Sequence, residues 1–262
     1  MSDAKSHEFQ GYQIPVDLML LTGGGPDTFD AISRAHIANL ERHVWLLPSH
    51  QVLEIGCGIG RDAIPLTRIL SAERGGGYVG IDVIKRSIDW CKASIEPRNP
   101  HFRFLHMDIR DKLHNPSGVV DATAARLEVA DQSVDRIILQ SVFTHMLRPE
   151  FEHYLREFRR VMKPDGLIYA TVFIYDDAIL ASARKTNLTP YDLRFEHEAG
   201  PGCVINNLDY PTGAVAYTRE VIDSMVARAG LRHAKEPLKG AWSGFHPVAD
   251  DGQDVLILKS GG

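Results

Sequence analysis

The stretch Val52–Arg61 (VLEIGCGIGR) carries residues whose types and spacing can bind a ligand. Its apolar start predicts a buried strand, and the alternating Gly56, Gly58 and Gly60 predict a turn that leads into a helix. Glycine allows positive φ angles and lets the backbone approach a ligand closely. A dinucleotide fingerprint needs glycine at its first, third and sixth positions, and Arg61 stands at the sixth. The stretch therefore favours a nucleoside cofactor without phosphates over NAD.

Acidic residues follow the next two strand-like segments. Asp82 ends the segment Tyr78–Asp82, and Asp108 follows Phe102–Met107. Ligands of open α/β sheets bind beyond the carboxyl ends of the strands, so both carboxylates are placed to contact a nucleoside. Asp82 can accept hydrogen bonds from two ribose hydroxyls, and Asp108 can accept one from an adenine amine while Ile109 contacts the ring. A helix cap at Asp82 and a solvated loop residue at Asp108 are the structural alternatives.

A histidine follows the fourth predicted strand, Val134–Leu139. Imidazole titrates near neutral pH, so His145 can act as a general base that removes a proton from a hydroxyl, worth about 10²–10⁴ in rate. Carbonyl groups near Gln140 can accept hydrogen bonds from a ligand ammonium group. The alternative for His145 is a packed side chain beside Phe143 and Met146 on a short helix.

Strand-like and helix-like segments alternate from Gln51 onward, which is typical of a parallel sheet with crossover helices. The predicted strands are Gln51–Ile55, Tyr78–Asp82, Phe102–Met107, Val134–Leu139, Leu167–Ile174, Leu231–Glu236 and Asp254–Lys259. The predicted helices are Arg61–Leu70, Lys85–Ile95, Glu150–Met162 and Thr218–Ala229. We expect the last two strands to pair antiparallel. The pattern predicts an α/β fold with a seven-stranded, mostly parallel sheet and helices on both faces.

Two segments lie outside the repeating part of this pattern. Residues 1–48 form an N-terminal segment that is partly helical, and residues 49–262 form the main domain. Residues 175–217 interrupt the main domain and are too long for a plain connection. We therefore predict that the insert is a cap over the substrate, and that the N-terminal segment is a lid.

Composition excludes several classes of function. A net charge of −5 argues against a nucleic-acid surface, which needs a basic face. The three scattered cysteines favour reduced thiols in the cytoplasm over disulfides or a zinc site. The polar start Met1–Gln10 is not a secretory signal, and no apolar run has the length of a membrane span. The acidic and histidine residues show no compact metal-ligand spacing, so the sequence gives no support for a metal site. Whether a divalent metal assists and whether the chain forms a homo-oligomer stay open.

Five segments in order resemble class I S-adenosylmethionine-dependent methyltransferases. They are Leu53–Gly60 (LEIGCGIG), Val79–Asp82 (VGID), His106–Ile109 (HMDI), Ser133–Ile138 (SVDRII) and Val161–Gly166 (VMKPDG). The resemblance implies a Rossmann-like domain with S-adenosylmethionine as cofactor. It also implies that the cofactor is lined by Glu54, Gly56, Gly58, Gly60, Asp82, Asp108 and Ile109. We further expect contacts from Gly23, Arg61 and Gln140, with Thr22–Gly25 folding over the methionine end of the cofactor.

A narrower resemblance links the chain to bacterial methyltransferases that act on sugar hydroxyls. It is carried by Thr22–Gly25, Gly58–Arg61, Ser141–Met146, Ala214–Tyr217 and Gly240–Gly244, and it extends to mycobacterial mannoside O-methyltransferases. It implies transfer of a methyl group to a carbohydrate hydroxyl, with His145 as base and Glu198 in reserve. The aromatic side chains that can contact a sugar ring, or else pack in the core, are Tyr191, Tyr210 and Trp242.

Other functions remain as alternatives at this point. The acceptor can be a small phenol or a lipid-linked hydroxyl, and the chain can be a binding protein that keeps the cofactor without chemistry. Nucleic-acid base methylation is disfavoured, because Gln140–Phe143 replaces the Asn/Asp-Pro-Pro-aromatic motif and no Pro-Cys pair occurs. An NAD-dependent oxidoreductase is disfavoured by Arg61.

Overall fold

The structure is a computed structural model that describes residues 5–112, 114–186, 188–189 and 191–261. Residues 1–4 of the predicted N-terminal segment and residues 187 and 190 of the predicted insert lie outside the described residues. In the described ranges, no helix is both long enough and apolar enough to cross a lipid bilayer.

Strands and helices alternate along the described chain. The strands are β1 (Ser6–Phe9), β2 (Tyr12–Pro15), β3 (Gln51–Ile55), β4 (Gly77–Asp82), β5 (Phe102–His106), β6 (Val134–Leu139), β7 (Met162–Val172), β8 (Ile174–Tyr175), β9 (His197–Glu198), β10 (Cys203–Ile205), β11 (Val215–Thr218), β12 (Leu231–His233) and β13 (Asp254–Ser260). The α-helices are α1 (Val16–Met19), α2 (Pro26–Val44), α3 (Ala63–Leu66), α4 (Lys85–Ser94), α5 (Arg148–Val161), α6 (Asp177–Thr186) and α7 (Arg219–Arg228). Short 3₁₀ helices lie at Leu20–Thr22, Ala72–Arg74, Glu96–Arg98, Phe143–His145 and Pro211–Gly213.

The central sheet has seven strands in the order β12-β13-β7-β6-β3-β4-β5. Strand β4 pairs parallel with β3 and with β5, whereas β13 pairs antiparallel with both β7 and β12. The predicted seven-stranded, mostly parallel sheet and the antiparallel late pair are therefore confirmed. Central strands such as β6, with five of six residues buried, are apolar because helices cover both faces of such a sheet.

The chain divides into two compact units. The first unit comprises Met1–Ala125 with Val134–Arg136, and the second comprises Arg126–Ser133 with Ile137–Gly262. In the first unit, the hairpin β1–β2 and helix α2 are joined to the rest of the unit by polar contacts. Arg98 donates to the carbonyl of Gly11 at 2.9 Å, and the hydroxyl of Ser33 donates to the carbonyl of Arg61 at 2.8 Å.

In the second unit, the predicted insert 175–217 folds into helix α6 and part of a small sheet. That sheet has the order β8-β11-β10-β9 and packs around an apolar cluster that includes Phe173, Phe195 and Trp242. Helix α5 buries Phe151, Tyr154, Leu155, Phe158 and Val161, a spacing of three and four residues that forms one apolar face.

Several predicted boundaries were wrong, and two of them by several residues. The predicted helix Arg61–Leu70 is regular only over α3, Ala63–Leu66, and continues as turns. Pro65 sits inside this short element and has no N–H to donate, which limits its hydrogen bonding. The strand predicted over Leu167–Ile174 begins earlier, at Met162, and ends at Val172, because Met162 is already extended with a ψ of 134°.

Candidate active site

The glycine turn after β3 is held by backbone hydrogen bonds to the next strand. The N–H groups of Gly56 and Cys57 donate to the carbonyl of Ile81 at 2.8 and 3.2 Å. Gly56, Gly58 and Gly60 have φ angles of +76°, +52° and +78°, all in the left-handed region that favours glycine. The alternating glycines therefore follow from the backbone path of the turn.

Asp82 ties the glycine turn to the end of β4. Its Oδ2 accepts from the N–H of Gly58 at 2.7 Å, and its Oδ1 accepts from the N–H of Ile84 at 2.7 Å. Burial raises the pKa of Asp82, while these two N–H donors act in the opposite direction. Each carboxylate oxygen can accept a further hydrogen bond, so the side chain can hold the turn and still receive ribose hydroxyls.

Glu54 is bound by a residue that the sequence did not indicate. Its Oε2 accepts a hydrogen bond from the hydroxyl of Tyr78 at 2.5 Å, and both side chains are buried. Gly80 leaves the space for this contact, since a Cβ there would lie 2.9 Å from the Tyr78 hydroxyl oxygen. Burial, followed by the nearby charge of Asp62, raises the pKa of Glu54 well above its usual range, although Tyr78 and Arg61 act against this.

Asp108 is held in a turn by Asn115, another residue that the sequence did not indicate. The Asn115 amide donates to Oδ1 of Asp108 at 2.8 Å, and the carbonyl of Asp108 accepts from Val119 and Val120 at 3.0 and 2.9 Å. Ile109 is 6% exposed, and its N–H donates to the carbonyl of Met107 at 2.7 Å. The carboxylate thus has a defined orientation at the end of β5.

The segment Thr22–Gly25 lies against the glycine turn. A Cβ at Gly58 would lie 2.5 Å from Cγ2 of Thr22, and Nη1 of Arg61 donates to the carbonyl of Thr22 at 3.3 Å. Gly23 has a φ of +76°, which makes the chain turn at this point. The part of the N-terminal segment that was predicted to fold over the cofactor therefore contacts the predicted cofactor turn.

Gln140 and Ser141 follow β6 in the second unit. Gln140 is 8% exposed, and its Nε2 has no hydrogen-bond acceptor among the described residues. Ser141 has a φ of +57°, which is uncommon outside glycine, and its N–H donates to Oγ1 of Thr171 at 2.7 Å. A strained residue beside an unsatisfied buried amide is a common feature of functional sites.

His145 ends the 3₁₀ helix Phe143–His145 and is partly buried. Its Nδ1 lies 3.0 Å from the carbonyl oxygen of Thr212, which can only accept a hydrogen bond. Nδ1 therefore carries the proton in the neutral ring, and the lone pair is on Nε2. This is the tautomer in which Nε2 can accept a proton.

The other acceptor candidates differ in exposure. Glu198 is an exposed residue of β9 that pairs with Val204, and Tyr191 is 64% exposed. Tyr210 is partly buried, and its ring packs on the turn that includes Thr212, since a Cβ at Gly213 would lie 2.6 Å from Cδ1 of Tyr210. Tyr210 and His145 thus contact the same short turn of the insert.

Trp242 belongs to the core of the second unit. It is 4% exposed, its ring packs edge-on against Phe173 and Phe195, and its Nε1 donates to Oδ2 of Asp254 at 2.8 Å. The sequence left two roles for Trp242, contact with a sugar ring or packing in the core, and its position is that of a core residue. In the described residues, no three or more His, Cys, Asp or Glu side chains converge in a way that could hold a metal ion.

Residues 53–170 match a protein-family model described as a methyltransferase domain. The matched range contains the glycine turn, Asp82, Asp108 and His145. It also ends inside β7, so it spans the strands from β3 to β7 that carry the predicted motifs.

Two curated relatives overlap this range. The arsenite methyltransferase of Aquipseudomonas alcaligenes is 32% identical over 146 residues, covering 56% of this chain and 39% of the relative. The phthiotriol/phenolphthiotriol dimycocerosates methyltransferase of Mycobacterium tuberculosis is 31% identical over 154 residues, covering 58% of this chain and 47% of the relative. The chain thus matches less than half the length of either relative.

A solved structure shares its fold with most of this chain. A SAM-dependent methyltransferase from Aquifex aeolicus superposes with a TM-score of 0.54 and 14% identity, covering 92% of this chain and 95% of that one. This likeness supports the fold assignment made from the strand order.

The residues of the first unit fit S-adenosylmethionine. Three glycines with positive φ give a turn without side chains, and a carboxylate lies at the end of each of the two following strands. The buried Nε of Arg61 also lacks a hydrogen-bond acceptor among the described residues. A ligand with ribose hydroxyls, an adenine amine and a carboxylate complements these groups.

Proposed function

We propose, from the premise that residues 53–170 form a class I S-adenosylmethionine-dependent methyltransferase domain, that this chain methylates a hydroxyl oxygen of a carbohydrate. The observation that carries the chemical step is the hydrogen bond from His145 to Thr212, which leaves Nε2 as the basic nitrogen. A hydroxyl is a weak nucleophile until its proton is removed, and a neutral imidazole is suited to that task.

The first unit supplies the cofactor contacts in this proposal. S-adenosylmethionine, when bound, provides a methyl group on a positively charged sulfur. Asp82 accepts hydrogen bonds from the ribose, Asp108 accepts one from the adenine amine, and the glycine turn allows close approach.

His145 supplies the proton acceptor. Nε2 would take the hydroxyl proton while the oxygen bonds to the transferred methyl carbon, whose bond to sulfur breaks and leaves S-adenosylhomocysteine. The resulting imidazolium would keep its Nδ1–H bond to the Thr212 carbonyl. That bond also fixes the orientation of the ring, as a second hydrogen bond does in other catalytic histidines. Glu198 is the reserve base, but its exposed position on β9 gives it no comparable support.

Carbohydrate is the preferred acceptor because the narrower set of motifs resembles bacterial methyltransferases that act on sugar hydroxyls. Tyr210, which packs on the turn bound by His145, is the aromatic residue best placed to contact a sugar ring near that base. Tyr191 is exposed and offers a second aromatic face.

A lipid-linked hydroxyl is the second candidate. The insert exposes Leu188, Tyr191 and Leu208 at 61%, 64% and 64%, and these side chains could contact an apolar chain. A matched relative is named for phthiotriol and phenolphthiotriol dimycocerosates. Arsenite, the acceptor named for the other relative, is disfavoured because all three cysteines are buried and offer no accessible thiol.

A methyl-transfer assay with radiolabelled S-adenosylmethionine and a panel of mannosides, glucosides, phenols and hydroxylated lipids tests the proposal. We expect labelled methyl ether on a sugar. Methyl transfer to a lipid or a phenol, without transfer to any sugar, would overturn the assignment of a carbohydrate acceptor. Cofactor binding without any transfer across the panel would favour the non-catalytic alternative.

A further inference from the structure

Three arginines lie on one side of helix α5 in the second unit. Arg159 and Arg160 follow Arg156 by three and four residues, the spacing that makes side chains neighbours on a helix surface. The apolar residues of the same helix are buried on its other face. Arg228, the last residue of α7, lines the same cavity as these three. Four arginines therefore meet at one place on this unit.

The cavity that they line, called the arginine cavity below, has a volume of about 560 Å³. Asp131, Gln132 and the turn Ala229–Gly230 complete its wall. Gly230 has a φ of +71°, and a Cβ there would lie 3.9 Å from Nε of Arg159, so this guanidinium lies against the turn. Sites for small molecules have volumes of roughly 300–1,000 Å³, so the arginine cavity has the size of such a site.

Two of the four arginines are bound by carboxylates. Oε1 of Glu152 accepts a hydrogen bond from Arg228 at 2.9 Å. Arg160 donates to Asp131 and to Glu157, at 2.6 Å in both cases. The carboxylates beside the cavity are therefore already engaged with Arg160 and Arg228.

The other two arginines keep their charges uncompensated. Among the described residues, neither Arg156 nor Arg159 forms an ion pair or a side-chain hydrogen bond. Arg156 is exposed and Arg159 is partly buried. The chain as a whole has a net charge of −5, so this pair of positive charges runs against its general charge. Two free guanidinium groups on the wall of a cavity attract an anion.

The arginine cavity lies away from the candidate base. Gln132, on its wall, precedes β6, whereas Gln140 and His145 follow that strand. A strand of six residues is about 20 Å long. A ligand of the arginine cavity therefore does not occupy the place where methyl transfer is proposed.

We propose that the arginine cavity binds a small anion that carries phosphate groups. A guanidinium presents a fork of N–H donors that matches two oxygens of a phosphate, and such charge-assisted hydrogen bonds are roughly twice as strong as neutral ones. Because Arg156 and Arg159 supply two uncompensated charges, a diphosphate fits better than a single carboxylate. The proposed methyl transfer is not a premise of this inference.

Calorimetric titration of the full chain with inorganic pyrophosphate tests the inference. We expect one site per chain with a Kd below about 1 mM, unchanged by an excess of S-adenosylhomocysteine. A second titration uses ADP. Comparable or tighter binding of ADP identifies a nucleotide as the source of the phosphate groups, and loss of binding identifies a free phosphate anion.

Substitutions of Arg159 locate the binding. Arg159→Gln is expected to weaken pyrophosphate binding about 10–100-fold, the range for a lost charged hydrogen bond. Arg159→Lys keeps the charge but loses the fork, so its affinity should fall between those of wild type and Arg159→Gln. Arg34→Gln is the matched control, because it removes the same charge from an exposed position on α2. Thermal unfolding without ligand shows whether each variant is folded.

Four results would overturn the inference. Pyrophosphate could fail to bind the folded wild-type chain, or could bind no better than sulfate at the same ionic strength. Arg34→Gln and Arg159→Gln could lose affinity equally, which would show general charge attraction. Displacement by S-adenosylhomocysteine would place pyrophosphate at the glycine turn. Binding of a short single-stranded RNA without saturable binding of pyrophosphate would show a nucleic-acid surface instead.

Discussion

The glycine turn of the first unit and the insert of the second unit are built in different ways. In the turn, the contacts are backbone to backbone or backbone to carboxylate, as with Gly58 and Asp82. In the insert, side chains are the groups expected to contact the substrate that accepts the methyl group. Tyr210 is partly buried, and Tyr191 and Glu198 are exposed. A site built on backbone geometry demands particular residue types, whereas a site built on exposed side chains allows many.

This contrast predicts that variants of the two regions change different quantities. Changes at the turn should alter cofactor affinity, and changes at the insert or at His145 should alter turnover or acceptor affinity. A loss of cofactor affinity in an insert variant, or a loss of turnover alone in a turn variant, would contradict this contrast.

His145→Ala is expected to have the largest effect. Removing the base should lower kcat about 10²–10⁴-fold and leave the Kd of S-adenosylhomocysteine within a factor of about 2. Steady-state kinetics and calorimetry on the same preparation measure both. Glu198→Gln is the companion variant, and a larger loss of kcat in it than in His145→Ala would reassign the base.

Gly58→Ala is expected to act on the cofactor side. Its Cβ would meet Thr22 at 2.5 Å and would force a non-glycine residue to a φ of +52°. We expect unfolding free energy to fall by about 1–3 kcal/mol and affinity for S-adenosylhomocysteine to fall at least tenfold, roughly 1.4 kcal/mol.

Gly75→Ala is the control for that variant. Gly75 has a φ of +81° in the same unit, but a Cβ there meets no atom within 4 Å. Denaturant unfolding should show a lower free energy of unfolding for Gly75→Ala, because alanine is strained at this φ angle. Its affinity for S-adenosylhomocysteine should equal that of wild type. Equal losses of affinity in the two variants would mean that the turn itself has no special role.

Glu54→Gln is expected to change how stability depends on pH. Because the folded pKa of Glu54 is raised above its ordinary value of 4.5, the folded state binds more protons there, and this stabilisation is lost as pH rises above 4.5 toward the folded pKa. The neutral amide does not titrate. Urea unfolding should therefore show the variant gaining on wild type as pH rises, by up to about 1.4 kcal/mol per pH unit in that window. A difference that is constant with pH would contradict the raised pKa.

Tyr191→Ala is expected to have the smallest effect. Its ring is 64% exposed, so unfolding free energy should change by less than about 0.5 kcal/mol. If the ring contacts the acceptor, KM for the acceptor should rise a few-fold while cofactor affinity is unchanged. A change in cofactor affinity would break the division between the two regions.

Sequence patterns predicted strands β3 to β6 and helices α4, α5 and α7 to within two residues. Strands β3 and β6 have the predicted bounds, because a short segment rich in Val, Ile and Leu between turn residues is typical of a strand. The helix predicted over Arg61–Leu70 is short because Pro65 and the hydrogen bonds of neighbouring turns override its periodicity.

At the candidate site, the sequence did not reveal the contacts between side chains that are far apart along the chain. The glycine turn could be predicted since its residue types follow from its φ angles. The contact of Tyr78 with Glu54 depends on strand register, in which Glu54 lies opposite Gly80. Trp242 is buried because Asp254 satisfies its indole N–H, and no periodic pattern encodes such a pair.

The central claim is that the glycine turn and Asp82 bind the adenosine part of S-adenosylmethionine. Calorimetric titration of S-adenosylhomocysteine into the wild-type chain and into Asp82→Asn tests it most directly. We expect one site per chain with a Kd on the order of micromolar, weakened about tenfold or more in a folded Asp82→Asn. Absence of binding to folded wild-type protein, or equal affinity in Asp82→Asn, would contradict the claim.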